Sequence, residues 1–228
     1  MVDALEIPRW VWWLTHFGNS VLLLSAAGIL ALWAALGAAW RTAAMGLALL
    51  GLAVLIVLAS KVAFFGWGYG LAAIDFTGFS GHAMLSAAVL PPVALALVSR
   101  RSQRTRQVAV WLSGALAVAV AWSRLELNAH SLSEVILGAG IGAAVSVGAI
   151  RYGLLHALPR LSALPLALTL GVLLAATAPR GNDNEGPRTH GLVLKISLWA
   201  SGRAEPYTRA MMHQAAQRPQ NVTPSSAK

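Results

Sequence analysis

The residue types that could do chemistry in this chain are Ser80-Gly81-His82, the pair His130 and Glu134, and two cations, Lys61 and Arg124. His130 and Glu134 are four residues apart at the predicted start of a helix, so they share a face and can touch. A carboxylate bonded to one imidazole nitrogen fixes the tautomer and leaves the other nitrogen free to attack or to transfer a proton. Ser80 stands near an N-cap position with Gly81 beside it. Unpaired N–H groups at a helix N-terminus form an anion site. With Lys61 and Arg124 they read as a phosphate cradle served by two histidines. Each piece is weak by itself. Ser-Gly-His occurs often by chance, an i,i+4 His/Glu pair is common on helices, and a lone membrane histidine is about as often bonded to a carbonyl as reactive. Convergence of the pieces is what carries weight.

The elements that must bring them together are apolar helices. The chain has 228 residues, 57% of them hydrophobic and 11% charged. Runs near the roughly 20 residues needed to cross a bilayer recur along it. The pattern predicts an all-α, polytopic membrane helix bundle of about six transmembrane helices, at 19–40, 43–60, 82–99, 107–122, 131–150 and 162–178. The second span ends at Lys61, the third begins at His82, the fourth ends at Ser123-Arg124 and the fifth begins at His130. Alternating directions place all four ends on one face, with Asp75 and Glu126 nearby. Ionisable residues at bilayer depth are costly and usually functional. Asp75 is expected to pair with Lys61.

The formal net charge is +9, which raises nucleic acid as a partner. The distribution argues against it. Arg100, Arg101, Arg104 and Arg106 share one short loop, and Arg41, Arg151 and Arg160 lie in loops on the same face, without Asp or Glu. That is the positive-inside signature, so this face is assigned to the cytoplasm and the opposite face to the periplasm. The absence of cysteine excludes disulfides, thiolate metal sites and a Cys nucleophile.

The N-terminal stretch carries Asp3 and Glu6 before Arg9 and does not read as a secretory signal. Trp10, Trp12 and Trp13 look like an interfacial anchor, with a plain hydrophobic staple the simpler reading. Pro91-Pro92 should kink the third span. Gly138 and Gly142, at small-xxx-small spacing, predict close helix packing within the monomer. The membrane domain is expected over 1–179. The remainder, 180–228, reads as a polar linker, a short amphipathic helix in the stretch GLVLKISLWASGR, and a disordered tail.

The order and spacing resemble the type 2 phosphatidic acid phosphatase superfamily, which includes the vanadium haloperoxidases. Ser80-Gly81-His82 matches the end of its second motif. Ser123, Arg124, His130 and Glu134 match its third, with Glu in place of the usual Asp, and Lys61 matches the start of the first. The likeness spans roughly residues 55–150. It implies a membrane enzyme of the bacterial inner membrane acting on a lipid phosphate or diphosphate through a phosphohistidine, with no metal or cofactor. By that likeness His130 is nucleophile, Glu134 its orienting carboxylate and His82 the general acid. Lys61, Ser80, Gly81 and Arg124 bind phosphate. Membrane lipids and the lipid phosphate are the partners implied, nucleic acid is not, and the oligomeric state is left open.

One departure matters more than the Glu. The first motif should carry Arg-Pro where this chain has Gly68 and Tyr69. Restoring an arginine by Gly68→Arg is expected to tighten binding of orthovanadate. Three other readings compete: a phosphotransferase on the same scaffold, a catalytically degenerate lipid-binding protein, and a haem-binding membrane protein using His82 and His130.

Overall fold

The structure is a computed structural model that describes residues 8–151, 162–177 and 188–217. Its helices are α1 (Arg9–His16), α2 (Ser20–Leu36), α3 (Trp40–Trp67), α4 (Gly81–Leu97), α5 (Gln103–Glu126), α6 (Leu132–Ala149), α7 (Ala163–Thr177), α8 (Arg188–Ser201) and α9 (Arg209–Gln217). A short 3-10 turn, Ala72–Ile74, sits in the α3–α4 connection. No β-strand occurs among the described residues, so the fold is all-α.

Among the described residues, four stretches are long and apolar enough to cross a membrane: Trp10–Leu36, Trp40–Trp67, Gln103–Glu126 and Leu132–Ala149. That is fewer than the expected count of about six. The two remaining apolar helices, α4 and α7, have 17 and 15 residues. They are about 26 and 23 Å long, short of a hydrocarbon layer of roughly 30 Å. Leu32, Leu52, Leu55, Leu112, Val118, Ile136 and Val172 all point outward. Apolar side chains presented along several long helices identify a multi-pass membrane protein. α1 was not foreseen. It exposes Trp10, Trp12 and Trp13 and buries Val11, Thr15 and His16.

α4 is the axis of the bundle. Ala83, Met84, Leu85, Ser86, Ala88 and Val89 are all buried, and α5, α6, α2 and α7 pack around it. The helix continues through Pro91 and Pro92 without a break, and both rings are buried. The small residues expected to bring helices together do so inside the monomer. A Cβ at Gly138 would lie 2.6 Å from the Ser80 carbonyl, and one at Gly142 would overlap the Met84 carbonyl. Glycine at both places lets α6 close onto the N-terminal half of α4, which draws the start of α6 up to Ser80.

Helix ends are set by local chemistry. Asn19 accepts from the Val21 and Leu22 N–H groups to start α2, and Ser102 accepts from Thr105 N–H to start α5. Gly68, at φ +77°, stops α3 with a left-handed cap. Arg41, Arg104 and Arg106 sit in the first turns of α3 and α5, at the end of the bundle opposite Lys61, His82, Arg124 and His130. Arg160 and the polar linker at 180–187 lie outside the described residues, as do the last ten residues read as a disordered tail.

Candidate active site

The site is built around one buried carboxylate. Ser131 N-caps α6 and forms a capping box with Glu134: its hydroxyl accepts from Glu134 N–H at 3.4 Å, and Glu134 Oε2 accepts from Ser131 N–H at 3.3 Å. The same Oε2 faces His130 Nδ1 at 2.6 Å. An ionised carboxylate can only accept, so Nδ1 carries the proton and Nε2 is left with its lone pair. The other oxygen, Oε1, accepts from Thr77 N–H at 2.8 Å and from the Thr77 hydroxyl. Thr77 lies in the stretch IDFTGFSGHAML, which leads into α4, and clamps Glu134 from the α3–α4 loop. Ser80 N–H also donates to the Glu134 carbonyl at 3.1 Å, which ties the start of α4 to the start of α6.

Ser80 N-caps α4 and is fully buried. Its hydroxyl accepts from Ala83 N–H at 3.5 Å. The loop before it is pinned to α3, where Phe79 N–H donates to Ser60 Oγ at 3.1 Å. Gly78, at φ +138°, lies so close to α3 that a Cβ there would meet the Lys61 stem at 3.1 Å. Lys61, His82, Arg124 and His130 lie within Coulombic reach of one another. Arg124 donates from Nη1 to Thr15 Oγ1 at 2.7 Å, while its Nε is buried without a partner. A buried guanidinium N–H with nothing to donate to is costly, and an anion beside it would remove that cost. All seven residues singled out from the sequence (Lys61, Ser80, Gly81, His82, Arg124, His130 and Glu134) thus meet at one end of the bundle. Glu126, expected on this face, is exposed at the end of α5.

Residues 60–156 match the PAP2 superfamily, a stretch that holds every one of these seven. That stretch, just over two fifths of the chain, is similar to the PAP2 superfamily. A Klebsiella pneumoniae protein described as an uncharacterized 22.5 kDa protein in the cps region is 45% identical over 134 residues. The aligned part is 58% of this chain and 64% of that relative, so the chain spans just under two thirds of its length. No solved structure matches.

Three features of the site were not foreseen. Thr15, from α1, holds Arg124. Thr77 holds Glu134. Arg209, from the C-terminal segment, donates from Nη2 to Glu134 Oε1 at 2.8 Å and from Nη1 to the Asp75 carboxylate. Asp75 therefore pairs with Arg209 and with His213, whose Nε2 lies 2.7 Å from Asp75 Oδ1, and not with Lys61 as expected. Among the described residues no three His, Cys, Asp or Glu side chains gather as a metal-ligand set.

Gly68 also turns out differently from expectation. It holds a left-handed φ, and a Cβ there would sit 3.0 Å from the Tyr207 ring. Gly68→Arg should therefore cost about 1–2 kcal/mol in backbone strain and push Tyr207 away as well. The variant is expected to melt at lower temperature and to bind orthovanadate no more tightly than wild type. Tighter inhibition in a stable variant would show that α3 can end without its left-handed turn.

Proposed function

We propose that the chain is a membrane phosphatase that hydrolyses a lipid phosphate or lipid diphosphate through a phosphohistidine on His130, without a metal. The observation that carries this is the His130–Glu134 bond, held beside an arginine whose buried Nε lacks a partner. His130 Nε2 attacks phosphorus in line, and the bond from phosphorus to the lipid oxygen breaks. His82 gives its proton to that oxygen, while Glu134 stabilises the cationic ring. Water then attacks the phosphohistidine, His82 takes its proton, and the P–N bond breaks to release phosphate. Lys61, Arg124, Ser80 and the Gly81 N–H meet the charge on the non-bridging oxygens.

The surroundings fit a lipid. A cleft of about 530 Å³ between α4, α5 and α6 is lined by Trp122, Leu125, Leu132, Val135 and Ile136. Its lining residues Leu125 and Leu132 stand one and two positions from Arg124 and His130 in the sequence, so an apolar tail could lie in the cleft while the headgroup reaches the histidine.

The test is phosphate release from a panel of lipid phosphates and diphosphates in mixed micelles, with chelator present. Release with chelator supports the reading. Release of a phosphorylated acceptor in place of inorganic phosphate would favour a phosphotransferase. No product from any substrate would point to a lipid-binding relative, which the glycine at position 68 favours.

Burial lowers the pKa of His130 below its ordinary 6.5, opposed in part by the hydrogen bond it donates to Glu134. The neutral, attacking ring thus persists below pH 6.5. The acid limb of kcat/KM is expected under that value, and a limb near 7.5 would mean that a different group attacks.

In this reading the chain crosses a bacterial inner membrane with six helices, α4 and α7 included, and the site faces the periplasm. The membrane domain closes near residue 179, and 180–228 is an appendage to it. The arginines at positions 41, 100, 101, 104, 106 and 151 fit a cytoplasmic face opposite the site. Because the chain has no cysteine, single replacements report orientation cleanly. Cysteine at Gln103 should resist an impermeant thiol reagent in cells with a permeabilised outer membrane. Cysteine at the exposed Ala129 should react. The reverse pattern places the enzyme on the cytoplasmic leaflet, and equal labelling would mean that α5, the one helix between them, does not cross.

A further inference from the structure

The C-terminal segment folds back over the site. α8 packs along α3, where Gly66 makes room for the Ser197 carbonyl and the Ser201 side chain. Tyr207 N–H then donates to the Phe65 carbonyl at 2.8 Å, and its ring meets Phe64 edge-on. The ring covers Gly68, where any side chain would collide with it. These contacts deliver Arg209 to the polar end of the bundle. Its Nη2 donates to Glu134 Oε1 at 2.8 Å and to Thr77 Oγ1 at 3.3 Å. Its Nη1 donates to the Asp75 carbonyl at 3.2 Å and to the Asp75 carboxylate. His213 holds the second Asp75 oxygen. One guanidinium therefore bridges two carboxylates, one half-exposed and one buried.

We propose that Arg209 is a positioning residue of the phosphoryl-transfer site: it fixes Glu134 against His130 and keeps that pair from taking up a proton near neutrality. The proposal rests on the phosphohistidine reading above. Glu134 shares its two oxygens between two tasks. Oε2 serves His130 and Ser131, while Oε1 is anchored by Thr77 and Arg209. Arg209 alone brings a full charge to Oε1 by hydrogen bond among the described residues.

The charged and titratable groups facing the pair are Lys61 from α3, Asp75 from the loop before α4, His82 from α4, Arg124 from α5 and His213 from α9. Arg209 stands between Asp75 and Glu134 and screens one carboxylate from the other. Without it, the pair would bind its proton at higher pH, whichever partner carries it. Gly68 gives this arrangement its sequence logic. The glycine that removes an arginine from the end of α3 also admits Tyr207, and Tyr207 brings in an arginine from α9.

The test uses the full chain in phosphatidylethanolamine–phosphatidylglycerol vesicles with its best lipid phosphate. Arg209→Ala should lower kcat by about 10–100-fold while KM stays within about threefold. The acid limb of kcat should move up in pH, and Arg209→Lys should recover part of the rate. Arg209→Gln keeps most of the stem and a donor but not the charge, and it carries the test if the alanine variant fails to fold. An unchanged kcat, or a loss in KM alone with the pH profile unmoved, overturns the proposal. A second readout needs no turnover. In protein labelled at histidine, the His130 resonance, identified by its absence in His130→Ala, should titrate at higher pH in Arg209→Gln. If wild type releases no phosphate, the phosphatase reading falls. The titration still decides on Arg209, and an unmoved His130 would refute its role.

Discussion

His130→Ala is expected to abolish phosphate release while leaving the protein folded in the membrane. His130 sits between α5 and α6, and its ring hydrogen-bonds to Glu134 Oε2. Removing the ring leaves that oxygen with Ser131 N–H, so the buried carboxylate is not stranded. The capping box of α6 and the Thr77 clamp do not involve the ring either. What disappears is the nucleophile. His82 cannot take over by default, since no carboxylate orients its ring among the described residues. The loss should be on the order of 10³-fold or more, as for removal of a covalent nucleophile elsewhere. The measurement is inorganic phosphate released per mole of purified variant, alongside its melting temperature. A base quench after a pulse of labelled substrate should trap phosphohistidine in wild type and none in the variant. A variant that keeps more than about a tenth of the wild-type rate would sink the nucleophile assignment.

Much of this was readable from the sequence because the chemistry stands at helix ends. An apolar run interrupted by a cation or by Ser-Gly-His announces both where a helix stops and what it carries there. The six apolar segments lie where expected for that reason. Their lengths were less legible. Lys61 looks like the end of a span, yet α3 runs on to Trp67 because Val62 to Phe65 are apolar and the first left-handed stop comes at Gly68. α4 and α7 come out at only 17 and 15 residues, because hydropathy does not count helical residues. The contacts that hold the site in place were the least legible. Thr77 to Glu134 spans 57 residues of sequence, Thr15 to Arg124 spans 109, and Asp75 to Arg209 spans 134. No periodicity or motif links such positions. They meet because Gly138 lets α6 close on α4, and because Gly66 and Gly68 let the C-terminal segment settle on α3. The pairing of Asp75 was misjudged for the same reason, since its partners lie in a segment whose docking no local pattern announces.

Glu134→Gln is expected to cost about 10²–10⁴ in kcat, the range seen when an orienting carboxylate becomes an amide. The substitution suits the question because glutamine with its oxygen toward Ser131 serves a capping box as glutamate does, so α6 can keep its start. Both oxygens of Glu134 face donors: His130 Nδ1 and Ser131 N–H on one side, Thr77 N–H and Arg209 Nη2 on the other. An amide must turn its NH₂ toward one of these sets. Turned to His130, it forces Nδ1 to become the acceptor, which moves the proton to Nε2 and removes the attacking lone pair. Turned to Thr77 and Arg209, it sets donor against donor and loosens the clamp. In neither orientation does a negative charge stabilise the imidazolium that forms as phosphorus is attacked. Glu134→Asp keeps the charge but withdraws the carboxylate by one methylene, so it cannot hold His130, Thr77 and Arg209 at once. Its rate should fall between wild type and the glutamine variant. The check is kcat for all three proteins at matched stability. Equal rates for glutamate and glutamine would reduce Glu134 to a helix cap, and the phosphohistidine reading would lose the observation on which it stands.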